Sequence, residues 1–140
     1  MGELQTTAMS LRIIGDDVIP NEISALLGCE PHFHTTKGQL YSPTKKGKLR
    51  VANFSSWRFK AEDRCPGDFD SQIEEILSQM TDDAEKWTRI PKSSRVEMFC
   101  GLFMETPMEG IGLSADSIAA LATRGISMDF DMYCSLSDYD

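Results

Sequence analysis

Two aspartates near the C-terminal end of the chain have a spacing that could support chemistry. Asp129 and Asp131 alternate with Phe130 and Met132, and this alternation predicts a strand that carries both carboxylates on one face. Their Cα atoms would then lie about 6.6 Å apart. Two carboxylates this close can divide acid and base roles, or can hold a hard cation.

Other polar and aromatic side chains are expected on the same sheet face. Arg12 lies in an alternating segment near the N-terminus, Tyr133 continues the alternation of the aspartates, and Trp57 or Arg58 would join from an extended central segment. The alternative is a solvated surface on which Arg12 pairs with an aspartate across strands. The expected binding surface comprises Arg12, Trp57, Arg58, Asp129, Asp131 and Tyr133.

A second group with ligand chemistry is the pair His32 and His34. In an extended loop this spacing places both rings on one side, as a zinc or nickel pair requires, and Asp16 or Asp17 could complete such a site. No third ligand has a motif spacing. We therefore expect the histidines to lie in an exposed loop and the protein to hold no metal and no cofactor.

The sequence contains none of the common catalytic motifs. There is no G-x-S-x-G setting for a serine and no glycine-rich phosphate loop. The four cysteines, Cys29, Cys65, Cys100 and Cys134, are far apart and form no C-x-x-C pair, which favours reduced thiols in a cytoplasmic protein. We assign no catalytic residue and lean against an enzyme.

The charge of this chain of 140 residues is −8 and is unevenly distributed. Residues 1–70 hold nine basic and nine acidic side chains, whereas residues 71–140 hold five and thirteen. Such a surface repels phosphate backbones and acidic lipid, so we expect no nucleic-acid or membrane binding and favour a basic protein partner. The alternative is that the acidic balance only keeps the protein soluble. The basic stretch 37–50, with Tyr41, is interpreted as a solvated loop rather than a phosphate contact.

No apolar run approaches the length of a membrane helix, and the first residues lack the basic and apolar blocks of a secretory signal. In the first half of the chain, alternation predicts a strand over residues 9–14. A helix then begins at Pro20 and stops at Gly28. Residues 29–48 are expected to form a long loop with a possible strand at 39–41, and residues 49–60 look extended.

In the second half, Asp68 is expected to cap one amphipathic helix that runs to Trp87. A strand over residues 95–104 is apolar on both faces and should be central in its sheet. Ser114 should cap a helix that buries Ile118, Leu121 and Ala122 and stops at Gly125. Residues 126–134 form the last expected strand, and residues 135–140 a frayed tail.

These elements predict a single α+β domain over residues 1–140. The expected sheet is mostly antiparallel and four- to five-stranded, with helices on one face in a ferredoxin-like arrangement. The helical segments 20–26 and 115–121 share a pattern, and each stands between two strands. This favours two strand–helix–strand units as an internal repeat, although two short amphipathic helices can also match by chance.

Two stretches of the chain carry a pattern shared with a known family. The first is Ser10-Leu11-Arg12-Ile13-Ile14-Gly15-Asp16-Asp17 followed by Pro20-x-x-Ile23-Ser24-Ala25-Leu26-Leu27-Gly28-x-x-Pro31, and the second is Gly125-Ile126-x-Met128-Asp129-Phe130-Asp131-Met132-Tyr133. With Trp57 and the middle helix, they resemble the bacterial domain of unknown function 4279 over nearly the whole chain. The expected Trp-Ser-x-Glu-Ser segment is replaced by Trp57-Arg58-Phe59-Lys60-Ala61-Glu62. The resemblance implies a bacterial, cytoplasmic, single-domain protein and implies no settled activity.

Three functional hypotheses follow. The first is a non-enzymatic protein-binding module, such as an inhibitor or immunity-type partner of a basic protein, because acidic charge speeds association with such a partner. The second is a small-ligand sensor or enzyme that uses the carboxylates and Arg12 on the open sheet face. The third is a homodimer, rather than a monomer, formed by pairing open sheet faces.

Overall fold

The computed structural model describes residues 5–44, 46–106 and 108–134. Within them lie one large sheet, one small two-stranded sheet and four helices. The expected tail, residues 135–140, lies outside the described residues. In chain order the elements are β1 (Thr6–Ile14), α1 (Pro20–Leu27), β2 (Phe33–Thr35), β3 (Leu40–Tyr41), β4 (Arg50–Val51), β5 (Ser56–Lys60), α2 (Phe69–Leu77), α3 (Ala84–Thr88), β6 (Arg95–Met104), α4 (Ala115–Arg124) and β7 (Ser127–Cys134).

The large sheet has five strands in the order β2-β5-β1-β6-β7. The first three strand pairs in this order are antiparallel, and β6 and β7 are parallel. The α+β class is therefore confirmed, and the sheet is mixed rather than purely antiparallel. The ferredoxin-like arrangement stays a prediction.

The helices α1 and α4 each lie between two strands in the chain, but the two strand–helix–strand units are built differently. In β6–α4–β7 the two strands pair directly, whereas β5 lies between β1 and β2 in the first unit. The helices of both units end at a glycine in the left-handed region, Gly28 with φ 72° and Gly125 with φ 71°. A side chain at either position would be strained, which explains why glycine stops both helices.

One face of the sheet carries the core. Along β1 the side chains of Thr7, Met9, Leu11 and Ile13 are buried, and those between them are half-buried. The helices α1, α2 and α4 contribute Ile23, Leu27, Ile76 and Leu121 to the same apolar cluster. These helices do not cover the opposite face of the sheet, and the small sheet β3–β4 lies on that side.

The single middle helix predicted up to Trp87 is wrong, because the chain leaves the helix after Leu77 and starts α3 at Ala84. Asp83 caps α3 by accepting a hydrogen bond from the Glu85 amide, and short polar side chains of this kind compete with helical hydrogen bonds. The expected Asp68 cap is confirmed, since its carboxylate accepts from the Ser71 amide.

Two further expectations need correction. The segment 29–48 is not only a loop, because Phe33–Thr35 forms the edge strand β2 of the large sheet. In α4 the predicted stripe is rotated, since Ser117 and Leu121 are buried while Ile118 is 54% exposed. Strand β7 has the expected facing, since Phe130 pairs with the buried Cys100 and its ring lies 5.9 Å from that of Phe69, but as an edge strand it leaves Phe130 40% and Met132 64% exposed.

Candidate functional site

The uncovered face of the large sheet brings together most of the expected site residues. Cross-strand pairing places five residues in one row across the sheet. Because residues paired in register share a face, this row defines the open face of the sheet. From β2 to β7 the row reads Phe33, Arg58, Arg12, Glu97 and Ser127.

Arg12 is neutralised within this row. Its Nη2 lies 3.4 Å from Oε1 of Glu97, and its guanidinium lies 3.9 Å above the centre of the Phe99 ring. Glu97 is only 6% exposed, and the same oxygen also lies 3.4 Å from Nη2 of Arg95. The expectation that Arg12 would pair with an aspartate is wrong, because β1 lies next to β6 and the buried Glu97 is the nearer carboxylate.

Arg58 lies beside Arg12 but has no such compensation. Its guanidinium lies 5.6 Å from the centre of the Phe33 ring, and its buried Nε has no hydrogen-bond partner. Among the described residues no carboxylate lies within ion-pair distance of it. Burial and the neighbouring charge of Arg12 lower the pKa of Arg58 from its ordinary value. Arg58 is therefore a half-buried cation without an anion.

A cavity of about 480 Å³ lies over Arg58, between the open face and the small sheet β3–β4. Its size falls within the range of small-ligand sites. Two backbone hydrogen bonds extend the pairing of the small sheet to Ala52, which lines the pocket. The Ala52 amide donates to the Gln39 carbonyl, and the Gly38 amide donates to the Ala52 carbonyl. We call this cavity the open-face pocket. Its lining residues are Ser10, His32, Phe33, Thr35, Tyr41, Pro43, Ala52, Asn53, Phe54, Arg58 and Lys60.

The expected carboxylates lie at the other end of the open face. Asp129 pairs with Phe99 and Asp131 with Gly101 across β6 and β7, so both carboxylates share the open face. Tyr133 donates a hydrogen bond of 3.1 Å from its hydroxyl to Asp131, which raises the pKa of Tyr133. Its ring stacks on Phe103 with centres 4.9 Å apart, and both rings are about half exposed. These residues form an acidic and aromatic surface that is separate from the open-face pocket.

Trp57 does not belong to this face, which corrects the sequence expectation. It pairs with Ile13 on the core side of the sheet and is fully buried. Its indole Nε1 donates a hydrogen bond of 3.0 Å to Oγ of Ser24 in α1. Trp57 is therefore a core residue with a satisfied polar atom, and of these two candidates Arg58 is the one on the open face.

The two histidines are not arranged as a metal site. Nδ1 of His32 accepts a hydrogen bond from the Lys60 amide, and its ring packs 4.3 Å from that of Phe59. Asp16 pairs with Lys37, and Asp17 accepts from Ser93. Within ranges 5–44, 46–106 and 108–134, no three His, Cys, Asp or Glu side chains lie close enough to hold a metal ion.

The cysteine closest to the open-face row is not suited to nucleophilic chemistry. Cys100 lies in β6 with its side chain in the core. Burial, with a smaller contribution from Asp129, raises the pKa of its thiol to about 12. Since the thiolate is the reactive form, this cysteine is inert at neutral pH.

The pocket depends on residues that the sequence interpretation left out. Phe33 and Tyr41 approach edge to face, with ring centres 6.2 Å apart, and join β2 to the small sheet. Lys60 and Ser10 are paired across β5 and β1 at the pocket floor. The basic stretch 37–50 is a sequence signal for Tyr41, whereas Ser10, Phe33 and Lys60 carry no local signal of a pocket.

The fold and the site define a small α+β domain with a one-sided core and a cationic pocket on the open sheet face. The chain belongs to the family described as domain of unknown function 4279, whose match covers residues 5–135. No match was found among the curated proteins or among the solved structures. The described helices are five to ten residues long, and none is long and apolar enough to cross a membrane.

Proposed function

We propose that this domain is a non-enzymatic binding protein that takes a small anion in the open-face pocket. The observation that carries this proposal is Arg58, a half-buried guanidinium whose Nε has no hydrogen-bond partner. An unsatisfied buried polar group costs free energy, and a charged one costs more. An anionic ligand would supply the missing partner.

The charge of the remaining pocket residues supports a small anion. Lys60 lies at the pocket and forms only a weak, exposed pair with Asp63 at 3.7 Å, so its ammonium stays available to a ligand. Arg12 contributes little net charge because Glu97 is paired with it. The overall charge of −8 disfavours a polyanion such as nucleic acid and does not oppose a ligand with one or two charges.

The proposal is tested by nuclear magnetic resonance titration of the isotope-labelled protein with acetate, benzoate and inorganic phosphate. At least one of these should shift the amide signals of Ser10, Phe33 and Tyr41, and Arg58→Gln should abolish the shifts. Arg89→Gln is the matched control, because Arg89 is an exposed arginine directly after α3 and is paired with Glu85. If no anion shifts these signals, or if Arg58→Gln binds like the wild type, the proposal is wrong.

A second candidate function is binding to a basic protein, in the manner of an inhibitor or immunity protein. It is favoured by Asp129 and Asp131, which form no ion pair with a described residue, beside the half-exposed stack of Phe103 and Tyr133. Aromatic faces next to carboxylates attract lysine and arginine side chains. A lysine-rich peptide at low salt should shift signals of β7, and an Asp129→Asn/Asp131→Asn variant should lose these shifts. Shifts spread over all acidic surfaces would count against this function.

The cytoplasm of a bacterium is the setting we propose for either function. Support comes from the cysteine pattern without C-x-x-C pairs and from the thiol of Cys100, which is buried in the core. Fractionation of cells that express the protein with an epitope tag would test this location, and recovery in the envelope fraction would refute it.

A further inference from the structure

The aromatic side of the open-face pocket restricts the ligand further than its charge does. Phe33 and Tyr41 meet edge to face at 69°, and Phe54, Ala52 and Pro43 line the same cavity. Such walls leave ring faces and apolar atoms toward the cavity. A fully hydrated ion would gain little binding free energy from these walls, whereas an aromatic ring would bury apolar area against them and pack on the edges and faces of their rings.

The donors that line the pocket differ in how well they match a carboxylate. Arg58 presents a planar fork of donors, which matches the two oxygens of a carboxylate. The hydroxyl of Thr35 is already engaged with Oγ of Ser56 at 2.8 Å and with the carbonyl of Phe54 at 3.0 Å. Besides Arg58, the side-chain donors that line the cavity are the ammonium of Lys60, the hydroxyls of Ser10 and Tyr41, the amide of Asn53 and Nε2 of His32.

From these observations we infer that the ligand of the open-face pocket is an aromatic carboxylate. Its carboxylate pairs with Arg58, and its ring lies among Phe33, Tyr41 and Phe54. This inference rests on the proposed function, and it adds the class of ligand to it.

A nucleoside monophosphate is the main rival, because it also joins an anion to a flat ring system. Proteins usually bind phosphate with several backbone amides at a helix N-terminus or in a glycine-rich turn. The described lining of this pocket comes from strands β1, β2, β3 and β5 and from the segments beside them, and it includes no helix N-terminus and no glycine. This lining therefore favours a carboxylate, with which the planar fork of Arg58 can pair directly, over a phosphate.

Isothermal titration calorimetry with naphthalene-2-carboxylate tests this inference. We expect it to bind about tenfold or more tightly than acetate, which lacks the ring, and than 2-naphthylmethanol, which lacks the charge. Inorganic phosphate and adenosine monophosphate should bind more weakly than the naphthoate. Tighter binding of either phosphate would overturn the aromatic carboxylate and leave the anion pocket standing. Equal binding of the neutral alcohol would overturn both proposals.

Two ring substitutions separate ligand contact from folding. Phe33→Leu keeps an apolar side chain and should reduce the naphthoate affinity about tenfold, a larger change than the one in acetate affinity. Tyr41→Leu, in the small sheet outside the main core, should act in the same direction and serves if Phe33→Leu fails to fold. Phe103→Leu is the matched control, since Phe103 lies on the same sheet face but stacks on Tyr133. Wild-type naphthoate affinity in both pocket variants would refute the inference.

Discussion

The buried carboxylate of Glu97 offers a test in which stability and binding should change in opposite directions. Glu97→Gln keeps the shape of the side chain and removes its charge. Arg12 then loses the anion that lies 3.4 Å from its Nη2, in a pair whose side chains are 20% and 8% exposed. Removing one partner of a buried ion pair costs about 3–5 kcal/mol. This pair is partly exposed, has one contact, and keeps the Phe99 ring under the cation, so we expect a loss of about 1–2 kcal/mol.

The same substitution should strengthen anion binding. Glu97 and Arg58 lie two strands apart in one row, which corresponds to about 9.6 Å. At a dielectric constant of about 40–80, removing the charge of Glu97 changes the energy of an anion near Arg58 by about 0.4–0.9 kcal/mol. The affinity for naphthalene-2-carboxylate should therefore rise about two- to fourfold.

Urea unfolding measures the first effect and calorimetry the second. Glu22→Gln is the control, because Glu22 is exposed on α1 and the substitution removes the same charge. Wild-type stability together with unchanged or weaker naphthoate binding would show that the proposed electrostatics of the row are wrong.

Three further substitutions test the placement of individual residues. Trp57→Phe removes the buried hydrogen bond to Ser24 and should lower the free energy of unfolding in urea by about 1–3 kcal/mol. The naphthoate affinity should not change, and a large loss of affinity would indicate that Trp57 contributes to the pocket. Hydrogen bonds from the amide of Ser114 and the hydroxyl of Ser117 lower the pKa of Asp70. The stability that its carboxylate adds is therefore complete above its unfolded pKa of about 4 and is lost as the pH falls through the folded pKa; the deficit of Asp70→Asn should shrink from pH 7 to pH 3, and a constant deficit would contradict this. Ile76→Asp places a charge at a fully buried position and should unfold the chain, so dispersed resonance signals from this variant would refute the packing.

The alternation of residues along a strand predicted which side chains share a face, where one face of that strand is covered by the core. In β1 it separates Leu11 and Ile13 from Arg12, and in β7 it places Asp129 and Asp131 on one face, as the strand pairing shows. The caps at Asp68 and Ser114 were also predictable, because a short polar side chain before an apolar run satisfies the first amides of a helix.

The apolar periodicity did not reveal the end of a helix where two helices pack on one core. Ile76, Leu77 and Met80 stand at helical steps before Trp87, so the apolar pattern continues although the helix ends at Leu77. Both α2 and α3 pack on the same cluster, and a shared core preserves the pattern across a break. Strand β2 was missed for a different reason, because three residues with an exposed His34 are too few to show a period.

The partner of Arg12 depended on strand order, which no local pattern contains. From the sequence, Asp129 could be the ion-pair partner of Arg12. In the fold, β6 lies between β1 and β7, and Glu97 is directly opposite Arg12. No local sequence pattern predicts the open-face pocket either. It forms only when the β3–β4 hairpin comes to lie near Arg58, which is distant from Tyr41 in sequence and close to it in the fold.

Arg58 leads to a last prediction, which separates a functional residue from a structural one. Arg12 and Arg58 are directly opposite each other on adjacent strands, and like charges in this position destabilise a sheet. The buried Nε of both arginines lacks a hydrogen-bond partner, but Glu97 offsets the charge of Arg12, whereas no carboxylate of a described residue lies within ion-pair distance of Arg58. If the fold alone determined this position, a neutral residue would serve better. Arg58→Gln should therefore unfold at the same or a higher urea concentration, with a gain of up to about 1 kcal/mol, while it abolishes anion binding. A loss of stability of more than about 1 kcal/mol would instead indicate that Arg58 is held for its packing on Phe33, and the case for a binding site at this arginine would fall.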